Sequence, residues 1–240
     1  MSRIHNKYKQ FIFERYAFDA PSKTVSLHYS LDGVVQFTET FRFDVDFANY
    51  DPTVLDRALQ ALFFMAGVSY YKTYVPAEIV IKHGQMDRVS AAFFSKTYQR
   101  GLGEFWYVNK LDPRTPVDFP VITNEPQHLQ LHHGEGALVA VGGGKDSLLS
   151  IEILRSALPG MTTWVLGHKQ QLSPLVERIG LPHSNVERTW DRKLLELNEQ
   201  EQDRAYNGHV PISAIIACAG VVLAVLTGRR DIVVSNEQSA

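Results

Sequence analysis

A chain of 240 residues is long enough for one large or two small domains, and 45% hydrophobic against 21% charged residues is the balance of a folded globular protein rather than a disordered one. Lys plus Arg number 24 and Asp plus Glu 26, a net charge of -2, which excludes a global electrostatic pull towards nucleic acid or an anionic membrane. A single cysteine, Cys218, excludes an intrachain disulfide and a cysteine-rich zinc site.

The first ten residues are polar and lack the apolar run of a secretory signal, so a reducing, cytoplasmic setting is expected. Segments 11–18, 24–30 and 34–43 alternate apolar and polar residues with aromatic and β-branched enrichment, the last two joined through Leu31, Asp32 and Gly33. That pattern predicts an antiparallel meander. Asp51 and Pro52 then open a helix in which Leu55, Ala58, Leu59, Leu62 and Phe63 recur at helical spacing, residues 77–82 read as a strand, and a second helix is expected over 87–98. The stretch 109–136 is polar and punctuated by Pro113, Pro116, Pro120 and Pro126, and it reads as a linker. Its His132 and His133 read as solvated linker residues, because adjacent histidines do not readily bind one ion and no carboxylate or cysteine pattern accompanies them.

Downstream the period changes to strand, helix, strand, helix. Residues 137–141, 162–166, 185–189 and 232–234 read as strands; Leu148, Leu149, Ile151, Ile153 and Leu154 mark one helix and 173–179 a second. Residues 212–228 form an almost continuous apolar run, at about 17 residues the bottom of the membrane-spanning range, and Pro211 suits the first turn of a buried soluble helix instead. Alternation of this kind implies parallel strands with crossovers. The expected class is α/β: an incomplete doubly wound parallel sheet over 131–240, preceded by a smaller α+β domain over 1–130 that recognises substrate.

The sharpest local signal is Gly142, Gly143, Gly144, Lys145, Asp146, Ser147, set between a buried strand and a helix. Successive glycines let backbone N–H groups approach an anion, and the helix N-terminus adds partial positive charge. The run is neither a Walker A loop, since Asp146 follows the lysine, nor GxGxxG. In a phosphate cradle Lys145 balances charge, Asp146 helps hold magnesium and Ser147 donates a hydrogen bond; the plainer reading is a strand-to-helix turn capped by Asp or Ser.

The hexad resembles the pyrophosphatase-type loop, SGGxDS, of enzymes that cleave ATP between the α and β phosphates, with Gly142 standing where that pattern has Ser. A narrower resemblance rests on several segments in order: Gly67, Val68, Ser69, Tyr70, Tyr71, Lys72; then Gly101, Leu102, Gly103, Glu104, Phe105; the glycine loop; Asn207, Gly208, His209, Val210, Pro211; and Ser235, Asn236, Glu237. Together they resemble the ATP-dependent UDP-N-acetylmuramoyl-L-alanyl-L-glutamate epimerases of peptidoglycan synthesis, over most of the chain. The resemblance implies ATP and Mg2+ as cofactors, a UDP-muramoyl dipeptide as substrate, neither nucleic acid nor membrane insertion, and a family length well beyond Ala240, so that a truncation inside the catalytic domain is expected. The loop alone also fits another adenylylating enzyme, for amide formation or tRNA modification, or a nucleotide-binding fragment without turnover.

Around the loop, His209 is a candidate base, its ordinary pKa of about 6.5 suiting proton transfer, though with Asn207 and Gly208 it also reads as a turn that starts the long helix. Asn236 and Glu237 follow the fourth strand, where Glu237 could bind magnesium or substrate. Tyr70, Tyr71 and Lys72 could offer aromatic faces and a cation to a nucleotide sugar, or form a rim over the core. Arg188, Arg192 and Lys193 could reach a phosphate or carboxylate, but with Glu187 and Asp191 nearby they read first as a surface charge cluster.

Overall fold

The computed structural model of the chain describes residues 7–123, 134–202 and 204–235. Strands β1 (Gln10–Asp19), β2 (Thr24–Leu31) and β3 (Val35–Asp44) form the expected antiparallel meander. Their inward positions carry large side chains, Phe11 and Phe13, Leu27 and Tyr29, Phe37, Phe41 and Phe43, all fully buried as period-two patterning requires. At the β2–β3 turn Asp32 and Gly33 take φ of 51° and 71°. The Asp32 carboxylate accepts from the Gln10 N–H at 2.7 Å, tying that turn to the start of β1.

Helix α1 (Pro52–Ala66) starts as its sequence implies, with Asp51 accepting from the Thr53 N–H at 2.7 Å and proline in the first turn. A single turn, α2 (Val68–Tyr71), follows through Gly67, where a Cβ would lie 2.6 Å from the Phe13 ring. Strand β4 (Glu78–Ile81) pairs in parallel with β1, and α3 (Arg88–Gly101) is capped by Asp87, whose carboxylate accepts from the Ser90 N–H at 2.8 Å. The short helix α4 (Gly103–Val108) completes this half.

The second half alternates as expected: β5 (Ala137–Ala140), α5 (Lys145–Leu154), β6 (Thr162–Leu166), α6 (Lys169–Ile179), β7 (His183–Thr189), α7 (Lys193–Glu199), α8 (Ile212–Thr227) and β8 (Asp231–Val233). Strands β7, β6, β5 and β8 are parallel. Side chains alternate across them. Leu138, Trp164 and Val186 face the aromatic core under α8 and α1, whereas Val139 and Val165 face Ile151 and Ile179 of α5 and α6. Helix α8 approaches the sheet closely because Gly220 is there: a Cβ on it would lie 3.0 Å from the Trp164 ring. At 16 residues it is a core helix, and no helix among the described residues is long and apolar enough to cross a membrane.

The class is α/β, but the sheet is mixed and continuous. Its order is β4-β1-β2-β3-β7-β6-β5-β8, and β3 pairs antiparallel with β7 from Thr40 opposite Thr189 to Asp44 opposite Asn185. The parallel strands expected downstream are therefore one end of a sheet whose other end is the meander. Several helices differ from expectation, and the single turn α2 and the six-residue α4 are too short to show a period in the sequence. α6 begins four residues before Ser173 and carries Pro174 inside it, and the short, charged α7 was not read at all, since seven residues give too few turns for a periodic signal.

Candidate functional site

From β5 the chain moves through α5, β6 and α6 to β7 on one side, and later returns to β8 on the other side of β5. The reversal of order at β5 and β8 opens a crevice at the carboxyl ends of the parallel strands, where ligands bind in open α/β sheets. The glycine loop lies there. Gly143 takes φ +80°, which an L side chain rarely adopts, and a Cβ on it would lie 2.9 Å from the Leu172 side chain. At Gly142 and Gly144 a Cβ would meet nothing within 4 Å, so the space in front of the loop is open.

Gly144 is the N-cap of α5 and supplies no side-chain hydrogen bond, which rules out the Asp- or Ser-capped turn of the plainer reading. The Ser147 hydroxyl is turned back, donating to the Gly144 carbonyl at 2.9 Å, and so tightens the turn rather than capping it. The first-turn N–H groups of α5 thus have no side-chain partner at the cap, beside Asp146 in the first turn and exposed Lys145. The loop borders a cleft of about 740 Å³. Gly142 and Gly144 line it from the turn after β5, Asp146 and Ser147 from the start of α5, Gly167 and His168 from just after β6, residues 188–192 from the end of β7 and the turn after it, Ser213 and Ile216 from α8, and Val234 and Ser235 from just after β8. The β8 end is tied to α5 by Ser235 Oγ donating to Ser150 Oγ at 2.8 Å.

The β7 wall corrects one expectation. Arg188 is no part of a surface cluster: its side chain is 6% exposed and its Nε donates to Oε1 of Glu39, which is fully buried. Nη2 donates to the Ser69 hydroxyl at 2.9 Å. Burial pushes the Glu39 pKa up, opposed by the Arg188 charge and by hydrogen bonds from Arg188 and Tyr70. Glu187 instead faces out and accepts from Arg42 at 2.9 Å. Sequence reading missed Glu39, although a signal existed: it stands between Phe37 and Phe41 on the inward face of β3, a place where a carboxylate needs a partner.

Tyr70 and Tyr71 are core residues. Tyr70 stacks on Tyr29 with centroids 5.0 Å apart, its hydroxyl accepts from the Asp191 N–H at 3.2 Å, and Tyr71 packs against Phe11 and Tyr98. Their faces are taken up by neighbours, so they offer none to a nucleotide sugar. Lys72 differs. Its ammonium donates to Asn207 Oδ1 at 3.2 Å and to the Gly208 carbonyl, bringing together residues that lie 135 and 136 positions apart. Burial pushes the Lys72 pKa down to about 8, against the pull of Glu104. His209 joins this group through its backbone N–H, which donates to Glu104 Oε2 at 3.0 Å, but its ring is largely exposed. Neither Lys72 nor residues 207–209 line the cleft; the same segment reaches it three residues on, at Ile212 and Ser213. Asn236, Glu237, His132 and His133 lie outside the described residues.

Among the described residues no group of three or more His, Cys, Asp or Glu side chains is placed to hold a metal ion. A magnesium ion at Asp146 would take its other ligands from phosphate oxygens and water, the usual arrangement for an ion that dehydrates reluctantly. The open space before Gly142 and Gly144 fits a phosphate group there.

The family described as the MurL N-terminal domain matches residues 2–240. The chain is 39% identical over 240 residues to a Xanthomonas oryzae pv. oryzae (strain MAFF 311018) protein named UDP-N-acetyl-alpha-D-muramoyl-L-alanyl-L-glutamate epimerase, covering 96% of this chain and 51% of that protein. Proteins of the same name from Salinispora tropica and Micromonospora sp. are 32% and 33% identical, again over 96% of this chain and 51% and 52% of theirs. The chain thus spans about half the length of these curated relatives. No solved structure matches it.

Proposed function

Because the chain belongs to the MurL N-terminal domain family, we propose that it serves an ATP- and Mg2+-dependent epimerisation in cytoplasmic peptidoglycan precursor synthesis. The terminal L-glutamate of UDP-N-acetylmuramoyl-L-alanyl-L-glutamate is inverted to D-glutamate by way of an acyl adenylate. The observation that carries this reading is the glycine turn at the carboxyl end of β5, its helix uncapped by any side chain and an open cleft in front of it. The names of the relatives support the substrate and the outcome.

The α-proton of a glutamate carboxylate is hard to remove because the enolate would place a second charge beside the first. Adenylylation takes that charge away. A carboxylate oxygen attacks the α-phosphorus of ATP, the bond to the bridging oxygen breaks, pyrophosphate leaves, and a mixed anhydride with AMP remains. The α-proton then passes to a base, a proton is returned on the opposite face, and water releases the D-glutamyl product and AMP. In this chain the N–H groups at the start of α5 would hold phosphate oxygens, Lys145 would balance their charge and Asp146 would bind magnesium, which supplies charge neutralisation on the leaving pyrophosphate.

The test is incubation in D2O with ATP, magnesium and the UDP-muramoyl dipeptide, using the chain alone and joined to the second half its relatives carry. Formation of AMP and one α-deuterium at the glutamate are expected together. Deuterium without AMP would overturn the adenylylation step, and AMP without deuterium would point to another adenylylating reaction. Asp146→Ala should abolish magnesium-dependent turnover while leaving the melting temperature near that of the parent, since Asp146 caps nothing.

A further inference from the structure

Arg188 sits one residue from the end of β7, with its guanidinium held by two hydrogen bonds and two aromatic rings. Nε is bonded to buried Glu39 and Nη2 to Ser69, and the Phe41 and Trp190 rings lie 5.6 and 5.7 Å from its central carbon. A buried ion pair is a poor device for stability alone, since apolar residues of like volume do as well. An arginine held this firmly in the wall of a cleft calls for another role. Guanidinium carries five N–H donors in a rigid fork suited to carboxylates and phosphates, and Glu39 and Ser69 use one on each of two nitrogens.

Besides Glu39, the next acid along the chain is engaged elsewhere. Asp191 accepts from the Thr38 N–H at 2.8 Å and the Lys193 N–H at 3.0 Å, so its carboxylate pins the turn after β7 onto β3. That turn holds Trp190 at the cleft with 59% of its surface exposed, a large aromatic face that no core packing explains. Position separates this wall from the glycine loop. β7 lies two strands from β5, about 10 Å at ordinary strand spacing, and Glu39 draws the guanidinium towards β3, away from β5. An anion on the loop and one on Arg188 are therefore different groups.

We propose that Arg188, presented by Glu39 and Ser69, binds a second oxyanion in the cleft, a carboxylate or phosphate of the co-substrate, with Trp190 stacking beside it. The identity of that co-substrate rests on the epimerase reading. For a UDP-muramoyl dipeptide the oxyanion belongs either to the diphosphate or to the glutamyl end.

Calorimetric titration of the full chain separates these. The ligands are ATP with magnesium, uridine diphosphate, and L-alanyl-L-glutamate; the proteins are the parent, Arg188→Lys, which keeps the charge opposite Glu39 but loses the fork, and Trp190→Ala at the exposed rim. Arg188→Lys should weaken one of the two fragments at least about tenfold while ATP affinity stays within about twofold. Loss confined to uridine diphosphate assigns the phosphate, and Trp190→Ala should then weaken it too; loss confined to the dipeptide assigns the carboxylate. Unchanged fragment binding in both variants overturns the proposal, as does equal weakening of ATP, which would place Arg188 in the nucleotide site. If neither fragment binds the parent, the proposal fails while the ATP reading stands; if ATP fails to bind but a fragment depends on Arg188, the reverse holds. Should Arg188→Lys not fold, Trp190→Ala decides: weaker binding of either fragment with ATP affinity unchanged supports the stacking beside Arg188, and unchanged binding of both fragments overturns the proposal.

Discussion

Gly142 and Gly143 adjoin in sequence, yet the structure asks different things of them. At Gly143 a side chain would meet both the left-handed backbone, at about 1–2 kcal/mol, and the Leu172 methyl 2.9 Å away. At Gly142 it would meet open space. Gly143→Ala should therefore lower the melting temperature and ATP affinity together, whereas Gly142→Ala should leave melting unchanged within about 0.5 kcal/mol yet weaken ATP binding, because its methyl enters the space proposed for the phosphate. Unaltered ATP affinity in both would remove the phosphate from the loop. Lys72 makes a pH prediction. Its folded pKa, about 8, lies below the unfolded value of about 10.4, so between those values the unfolded chain holds more protons and stability rises with pH. Relative to Lys72→Met, the parent should gain stability from pH 8 to 10, read as a rising difference in urea midpoints; a falling difference would refute the burial of that ammonium.

At the scale of elements, local signals and packing agree wherever a helix begins with its own cap. Asp51 and Pro52 start α1 by chemistry confined to four residues, which is why that boundary is legible in the sequence. Asp51→Ala should cost about 1 kcal/mol, or about 2–4 °C of melting temperature, and Asp51→Asn should restore most of it. Where an element lacks such a signal the reading slips. α7 is too short to show a period, and α6 runs through Pro174. Tyr70 and Tyr71 show the same limit from the other side: aromatic residues beside a lysine read equally well as a platform or as core, and only the stacking of Tyr70 on Tyr29 decides for core.

Across the whole molecule the decisive feature is the join of β3 to β7. It makes one sheet of the meander and the parallel strands, and it buries Glu39 against Arg188 across 149 positions of sequence. A core running from Phe11 to Leu226 continues across that join. The chain should accordingly unfold in one transition: fluorescence from Trp106, in the first half, and from Trp164 and Trp190, in the second, should follow the same urea curve as far-UV circular dichroism. Two separated transitions would mean that the halves fold independently despite the shared sheet.

The sequence by itself determined the meander, the strand-helix alternation of the second half, the buried character of the long apolar helix and the glycine turn between a strand and a helix; the open space in front of that turn came from the tertiary structure. Each feature legible in the sequence rests on short-range chemistry: period-two or helical spacing, caps, and the backbone freedom of glycine. Only the tertiary structure decided that the two halves share a sheet, that Arg188 is buried on Glu39, that Tyr70 and Tyr71 belong to the core, and that Lys72 meets Asn207. The sheet join and the two charge pairings link residues more than a hundred positions apart, the tyrosine contacts span 27 to 60, and which of the available charges and rings meet is settled by the packing of the whole chain, which no local pattern encodes.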